Sequence, residues 1–154
     1  MAHLSRLGEH AGFWLALGAA GWSLEPSRRR DWGIATGGVA ATYVLNTAIK
    51  LAVRRRRPTL PGLPALTSTP TALSFPSAHT STSVAATLPY EPLGVPLAPL
   101  LGLTAALAYS RIYLGVHFPS DLLGGAALGG AVGLALRRSL SGSRVDATVA
   151  ERAS

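Results

Sequence analysis

Four long stretches of the 154-residue chain contain no Asp, Glu, Lys or Arg, and they limit the possible folds more than any other feature. They cover residues 10–24, 32–49, 92–110 and 122–136 and are 15, 18, 19 and 15 residues long. An α-helix needs roughly 20 apolar residues to cross the core of a bilayer. Only 14% of the residues are charged, against about 25% in soluble domains, so short membrane helices are favoured over a soluble helix bundle.

A fifth uncharged stretch divides by composition into a Pro-, Ser- and Thr-rich loop (58–76) and a short buried helix (77–89). The sequence therefore predicts an all-α, polytopic transmembrane helix bundle with about five spans. We place the spans at 11–24, 32–53, 77–89, 94–112 and 119–136, after an N-terminal interfacial segment over residues 1–9. Residues 1–138 would form a single membrane-embedded domain, and residues 139–154 a polar C-terminal tail with a frayed end.

Glycines recur every four residues in the last predicted span, at Gly125, Gly129 and Gly133. Small residues at this spacing let two helices approach closely in a membrane. We therefore interpret these glycines as a helix-packing face and assign them no chemical role.

The formal net charge is +7, and the cations gather at the ends of the predicted spans. Five alternating spans place seven cations on each side: Arg28, Arg29, Arg30, Arg137, Arg138, Arg144 and Arg152 on one, and Arg6, Lys50, Arg54, Arg55, Arg56, Arg57 and Arg111 on the other. Setting Lys50, Arg57 and Arg111 aside for chemistry, the positive-inside rule places the 28–30 loop and the C-terminus in the cytoplasm. Run 54–57 is then expected beside anionic head groups. No aromatic residues interleave with it, so no nucleic-acid partner is expected.

The unusual polar residues converge on one level of the membrane. They lie at four span ends: Lys50 and Arg57 after the second, Ser77 and His79 at the start of the third, Arg111 at the end of the fourth, and His117 and Asp121 around the start of the fifth. Because the chain alternates sides, all four ends lie at the extracytoplasmic face if the 28–30 loop is cytoplasmic. The constellation is therefore a candidate site in a multi-pass cell-membrane protein.

Spacing gives several of these residues a possible role. Lys50 and Arg57 are two helical turns apart, so a helix that Pro58 ends would carry both on one face; each could instead be an interfacial residue that extends toward the head groups. Ser77 begins a helix, where free N–H groups attract an anion, although it could simply be an N-cap.

His117 and Asp121 lie on either side of Pro119, which suits the first turn of a helix. Asp121 could then accept a hydrogen bond from one imidazole nitrogen and leave the other directed outward as a nucleophile or base. It could also be only a helix cap. Three cations and a helix N-terminus suit a tetrahedral dianion, namely phosphate, with His117 or His79 free to attack it and the other to protonate the leaving group. The chain has no Cys, and one carboxylate does not suit a two-metal site.

These residues resemble the signature of the type-2 phosphatidic acid phosphatase superfamily, the integral-membrane lipid phosphate phosphatases. Its pattern is Lys, six residues, Arg-Pro; then Pro-Ser-Gly-His; then Ser-Arg, five residues, His, three residues, Asp. The matching residues here are Lys50 to Arg57-Pro58, Pro76-Ser77-Ala78-His79, and Ser110-Arg111 to His117 and Asp121. Ala78 in place of Gly is the single departure. The composition and compact size look like those of small bacterial, actinobacterial members.

The resemblance implies a reaction and a role for each residue. His117 would attack phosphorus to give a phosphohistidine, Asp121 would orient it, and His79 would be the general acid toward the leaving group. The phosphoryl oxygens would be held by Lys50, Arg57, Ser77, Ala78 and Arg111. No metal or other cofactor is implied. The expected partners are a lipid phosphate substrate and membrane lipids, and the oligomeric state stays open.

The substrate is less well determined than the reaction. By analogy with actinobacterial members, we expect a phosphate monoester or diphosphate on a lipid, such as a polyprenyl-linked sugar phosphate in cell-wall synthesis. The alternatives are phosphatidylglycerophosphate, phosphatidic acid and undecaprenyl diphosphate. Vanadium-dependent haloperoxidases share the signature but resemble larger soluble proteins, and a non-catalytic protein that binds anionic lipid would not need the His117–Asp121 pair. Loop 59–75 is expected to lie over the site.

Overall fold

The computed structural model describes residues 11–59 and 69–153, with side chains described up to residue 141. These residues form five α-helices: α1 (Gly12–Leu24), α2 (Arg29–Val53), α3 (Ala78–Tyr90), α4 (Leu97–Tyr113) and α5 (Pro119–Ala153). A 3-10 turn, Pro26–Arg28, joins α1 to α2. The all-α, five-helix prediction is confirmed, and each helix end except the last lies within three residues of its predicted position. The predicted interfacial segment lies outside the described residues.

Helix α5 is longer than the sequence suggested. It was expected to end at residue 136, but its backbone continues to Ala153, through the segment predicted to fray. The chain has no proline after Pro119, and Arg and Ala, which favour helices, are frequent beyond residue 136. The expectation of a frayed end is therefore wrong for the backbone, whereas the division into domain and tail stays a prediction.

Helix α3 is the centre of the bundle: nine of its 13 residues are buried. The predicted glycine face of α5 packs against it, which confirms that prediction. A Cβ on Gly125 would lie 2.6 Å from the carbonyl oxygen of Ser77, and one on Gly129 would collide with that of Ser81. The glycines therefore let the start of α5 lie directly beside the start of α3.

Buried aromatic side chains attach α1 to α3. The indole N–H of Trp14 donates to Ser83 Oγ at 2.9 Å, and the Tyr90 hydroxyl donates to the Trp14 carbonyl oxygen at 2.9 Å. Both rings are almost fully buried, and each polar atom thus has the partner that burial requires. This cluster lies away from the predicted site and stabilises the opposite half of α3.

The outer surface of the bundle is apolar. Large exposed side chains include Val44, Leu45, Leu101, Leu123 and Leu134, which come from three helices. Among the described residues, one helical segment, Pro119–Ser141, is long and apolar enough by length and composition to cross a membrane, and Gly12–Leu24 is a shorter apolar helix. Helices α1 and α3 have 13 residues each, or about 20 Å at 1.5 Å per residue.

Candidate active site

A cavity of about 110 Å³ opens where the end of α2, the start of α3, the end of α4 and the α4–α5 loop meet. Six of the predicted site residues line it: Lys50, Arg57, Ala78, His79, Arg111 and His117. Ser77 and Asp121 are fully buried and lie behind its wall. The convergence of four chain segments expected from the alternation of spans is therefore present.

Helix α2 ends before it reaches the second of its two predicted cations. Its last residue is Val53, and Arg54 adopts a left-handed backbone conformation with φ 54°. The Arg54 N–H closes the final turn on the Lys50 carbonyl at 3.0 Å. The expectation that one continuous helix carries Lys50 and Arg57 on the same face as far as Pro58 is therefore wrong.

The segment after α2 is extended. Residues 55–57 run antiparallel to residues 72–74, and two backbone hydrogen bonds of 2.8 and 3.1 Å hold the two segments together. Side chains of an extended segment point alternately to opposite faces. Arg55 and Arg57 therefore point toward the same side, while Arg56 is exposed. Arg57 reaches the cavity by this alternation and without any helical spacing.

Three cations line the cavity, and each already has a protein contact. Lys50 Nζ donates to two carbonyl oxygens of the 72–74 segment at 3.4 Å. Arg57 Nε donates to the Thr71 carbonyl at 2.9 Å, and Arg111 Nε to Ser110 Oγ at 3.2 Å. Burial, and then the positive charge of Arg111, lowers the pKa of Arg57. These cations repel one another, so the cavity favours an anion.

His117 is held at both ring nitrogens. Its Nδ1 lies 3.4 Å from Asp121 Oδ2, an oxygen that also accepts the Phe118 backbone N–H at 2.8 Å. Its Nε2 lies 3.3 Å from Arg57 Nη1. Because a guanidinium group can only donate, Nε2 is the acceptor and the ring proton belongs on Nδ1, beside Asp121. The unprotonated nitrogen therefore lies beside Arg57, and both residues line the cavity. The contact between Asp121 and the other ring nitrogen agrees with the expectation from the sequence.

The surroundings keep this imidazole neutral. Burial, followed by the positive charges of Arg57, Lys50, His79 and Arg111, lowers the pKa of His117 to about 2. A phosphate group in the cavity would oppose those charges. Without one, the ring carries no proton on Nε2 at neutral or mildly acidic pH. A neutral, oriented imidazole at an anion site can act as a nucleophile.

The start of α3 lines the cavity through Ala78 and His79, and the backbone N–H groups of a first helical turn have no partner within the helix. Ser77 is the N-cap residue but makes no side-chain capping bond. Its N–H donates to the Asp121 carbonyl at 3.0 Å, and its Oγ accepts a hydrogen bond of 3.2 Å from the Thr80 hydroxyl. The side-chain cap is therefore not formed, and a role for Ser77 in holding phosphate stays a prediction.

Two site residues were missed. Arg55 was expected beside lipid head groups, but it donates to Asp121 Oδ1 at 3.0 Å; the alternation after α2 could have revealed it had the helix end been known. Asn46 is fully buried one turn before Lys50, and its Nδ2 donates to the Pro76 carbonyl at 3.3 Å. A lone Asn in an apolar helix, four residues before a candidate lysine, was the available signal.

The loop expected over the site is described in part. Thr69, Pro70 and Thr71 line the cavity, and residues 60–68 lie outside the described part. Within the described residues, no group of three or more His, Asp or Glu side chains could hold a metal ion. The metal-independent reaction stays a prediction.

Comparisons with known proteins point to one family. Residues 31–144 match the model of the PAP2 superfamily. Decaprenylphosphoryl-5-phosphoribose phosphatase of Mycobacterium tuberculosis is 45% identical over 142 residues, which are 92% of this chain and 78% of that protein. The protein of the same name from Mycolicibacterium smegmatis is 46% identical over 123 residues, 79% of this chain and 67% of its own.

Two solved structures share the fold. The transmembrane PAP2-type phosphatidylglycerolphosphate phosphatase of Bacillus subtilis superposes with a TM-score of 0.73 at 22% identity, over 90% of this chain and 74% of its own. LpxE of Aquifex aeolicus superposes with a TM-score of 0.70 at 27% identity, over 88% of this chain and 82% of its own.

Proposed function

Because the chain belongs to the PAP2 superfamily and is a membrane phosphatase, we propose that it removes a terminal phosphate from a polyprenyl-linked sugar phosphate by way of a phosphohistidine on His117. The observation that carries the reaction is the position of His117: its Nδ1 lies 3.4 Å from Asp121 Oδ2, its Nε2 lies 3.3 Å from Arg57 Nη1, and the residue lines a cavity together with three cations. The choice of substrate rests on the relatives, whose names specify a decaprenylphosphoryl phosphoribose.

The proposed reaction has two displacements at phosphorus. In the first, His117 Nε2 forms a bond to phosphorus while the bond to the sugar oxygen breaks, and His79 gives that oxygen a proton. In the second, water attacks phosphorus, His79 takes a proton from it, and the nitrogen–phosphorus bond breaks to release phosphate. Asp121 stabilises the positive charge on His117 in the intermediate.

The cations are proposed to bind the phosphoryl oxygens. Lys50, Arg57 and Arg111 come from three different segments, so they surround a tetrahedral group on several sides. Ser77 and Ala78 would complete the site from the start of α3, through the Ser77 hydroxyl and the Ala78 backbone N–H. Preorganised donors of this kind stabilise charge that develops in a transition state, each by about 10²- to 10³-fold in rate.

The proposed setting is a multi-pass protein with its site at the extracytoplasmic face. Exposed apolar side chains on α2, α4 and α5 would face lipid tails, and α1 and α3 are short enough to require a tightly packed bundle. The site lies at the end of the bundle opposite the Arg28 turn, which the positive-inside rule places in the cytoplasm. Cysteine labelling from either side of intact cells, at exposed Arg56 and at Arg29, tests this orientation.

A phosphate-release assay on purified protein tests the function. The substrates are a polyprenyl-phosphoryl pentose phosphate, phosphatidylglycerophosphate, phosphatidic acid and undecaprenyl diphosphate, and the control is His117→Ala. We expect the first substrate to have the highest kcat/KM. A clear preference for another lipid would overturn the proposed substrate. Peroxidase activity on adding vanadate, without phosphate release, would overturn the proposed reaction.

A further inference from the structure

Arg55 contacts the candidate active site through Asp121, which does not line the cavity. Its Nη1 donates to Asp121 Oδ1 at 3.0 Å and to Ser120 Oγ at 2.7 Å. Its guanidinium lies over the Phe118 ring, 4.1 Å from the centroid. Arg55 therefore contacts three residues around the start of α5, all within four positions of His117.

The two carboxylate oxygens of Asp121 contact different residues. Oδ2 accepts the Phe118 N–H at 2.8 Å and lies 3.4 Å from His117 Nδ1, whereas Oδ1 accepts from Arg55. The Asp121 side chain is completely buried, while that of Arg55 is 36% exposed. A buried carboxylate is costly without a charged partner, and Arg55 forms an ion pair with this one.

The backbone explains why Arg55, and not a neighbour, has this position. Its carbonyl accepts the Ser74 N–H at 2.8 Å and the Ser74 hydroxyl at 3.3 Å, which fixes the extended segment beside residues 72–74. Alternation along that segment points Arg55 toward the start of α5 and Arg57 toward the α4–α5 loop, and it leaves Arg56 exposed. Arg57 contacts His117 directly, and Arg55 contacts the residue that orients it.

We propose that Arg55 is a positioning residue for the nucleophile: its bond to Oδ1 fixes the Asp121 carboxylate with Oδ2 beside His117 Nδ1, and thereby orients the imidazole ring at the cavity. Arg55 does not line the cavity, so it acts through Asp121 and makes no contact with the substrate. This inference rests on the proposed function in assigning the nucleophile to His117. The inference extends the proposed function, because it gives one arginine of the 54–57 run a role in the reaction rather than at lipid head groups.

The test compares Arg55→Gln and Arg55→Lys with Arg56→Gln, which removes the same charge from the adjacent exposed position. We expect Arg55→Gln to lower kcat by about 10- to 100-fold, with KM within about twofold of wild type. Loss of a residue that orients a metal-ligating side chain has an effect of this size in metal sites. Arg55→Lys keeps the charge and should recover most of kcat. Millimolar guanidinium should raise the rate of Arg55→Gln and leave that of Arg56→Gln unchanged.

A second readout needs no turnover. In ¹⁵N-histidine-labelled protein, the His117 ring shifts report which nitrogen carries the proton, and we expect Arg55→Gln to change them while Arg55→Lys and Arg56→Gln do not. Unchanged shifts, or a kcat of Arg55→Gln equal to that of Arg56→Gln, would overturn the inference. If wild-type protein released phosphate from no lipid, the proposed function would fail, and the ring shifts would still decide the role of Arg55.

Discussion

The two ends of the bundle both carry charged residues, but they use them differently. At the end opposite the cavity, Arg137 Nη2 lies 3.0 Å from Glu91 Oε2, and Arg28 donates to the Pro92 carbonyl at 2.8 Å. Glu25 accepts the Trp32 indole N–H at 3.0 Å. Glu25 and Glu91 each have a cation or donor beside them, so these charges are paired and join the loops to the helices.

At the cavity end, the charges do not cancel. Three cations line the cavity, and no Asp or Glu of the described residues does. The nearby carboxylate, Asp121, is bound by Arg55 and stays behind the wall. The comparison separates paired charge, which stabilises the fold, from excess positive charge, which destabilises it and is available to a ligand.

Removing a cavity cation should therefore lower activity without lowering stability. Lys50→Met keeps the length of the side chain but removes its charge, and we expect kcat/KM to fall by about 10²- to 10³-fold. The melting temperature in detergent should stay equal or rise, because a buried like charge has been removed. A kcat/KM of Lys50→Met within tenfold of wild type would contradict the proposal that the excess positive charge binds phosphate.

Packing between α3 and α5 holds the two histidine-bearing segments together, and Gly129 tests it. A Cβ there would collide with the Ser81 carbonyl, whereas nothing lies within 4 Å of a Cβ on Gly130. We expect Gly129→Ala to destabilise the protein by about 1–3 kcal/mol. The matched Gly130→Ala should be neutral or stabilising by up to about 1 kcal/mol. Equal melting temperatures for the two variants would contradict the close approach.

The lowered pKa of His117 gives stability a pH dependence. In the unfolded chain the imidazole takes up a proton near pH 6.5, whereas the folded protein does not. Stability from this group is therefore present above that pH and declines as the pH falls below it, by up to about 1.4 kcal/mol per pH unit. Thermal melts between pH 7.5 and 5 should show a shallower decline for His117→Gln; parallel curves would mean that burial does not hold His117 neutral.

The opposite end should show the smallest effect. Arg137 and Glu91 are each partly exposed, and such ion pairs contribute at most about 1 kcal/mol. Arg137→Gln should therefore lower the melting temperature slightly and leave kcat and KM unchanged. A tenfold loss of kcat in this variant would show that the two ends are coupled, contrary to the division made above.

The fold could be predicted closely because its signal is local. Charge-free stretches placed all five helices, and the convergence of Lys50, His79, Arg111 and His117 followed from their positions at helix ends. The end of α5 was not predicted because hydropathy indicates where a helix can leave the membrane. It does not indicate where the backbone hydrogen bonds of the helix end.

Contacts between segments could not be predicted in the same way. The left-handed turn at Arg54 is followed by residues 55–57, which pair with the distant segment 72–74. The helical spacing of Lys50 and Arg57 therefore gave the right residues for the wrong geometric reason. The same turn decides that Arg55 points to Asp121 and Arg56 to solvent. Charge composition alone does not distinguish these neighbouring arginines.

Isolation of the covalent intermediate is the decisive experiment. Wild-type protein is mixed with a ³²P-labelled lipid phosphate, quenched in alkali, which preserves phosphohistidine, and digested for mass spectrometry. We expect the label on the peptide that contains His117, with His79→Ala turning over slowly or accumulating the labelled protein and His117→Ala taking up none. Label on another residue, or phosphate release by His117→Ala at a rate near that of wild type, would contradict the assignment of His117 as the nucleophile.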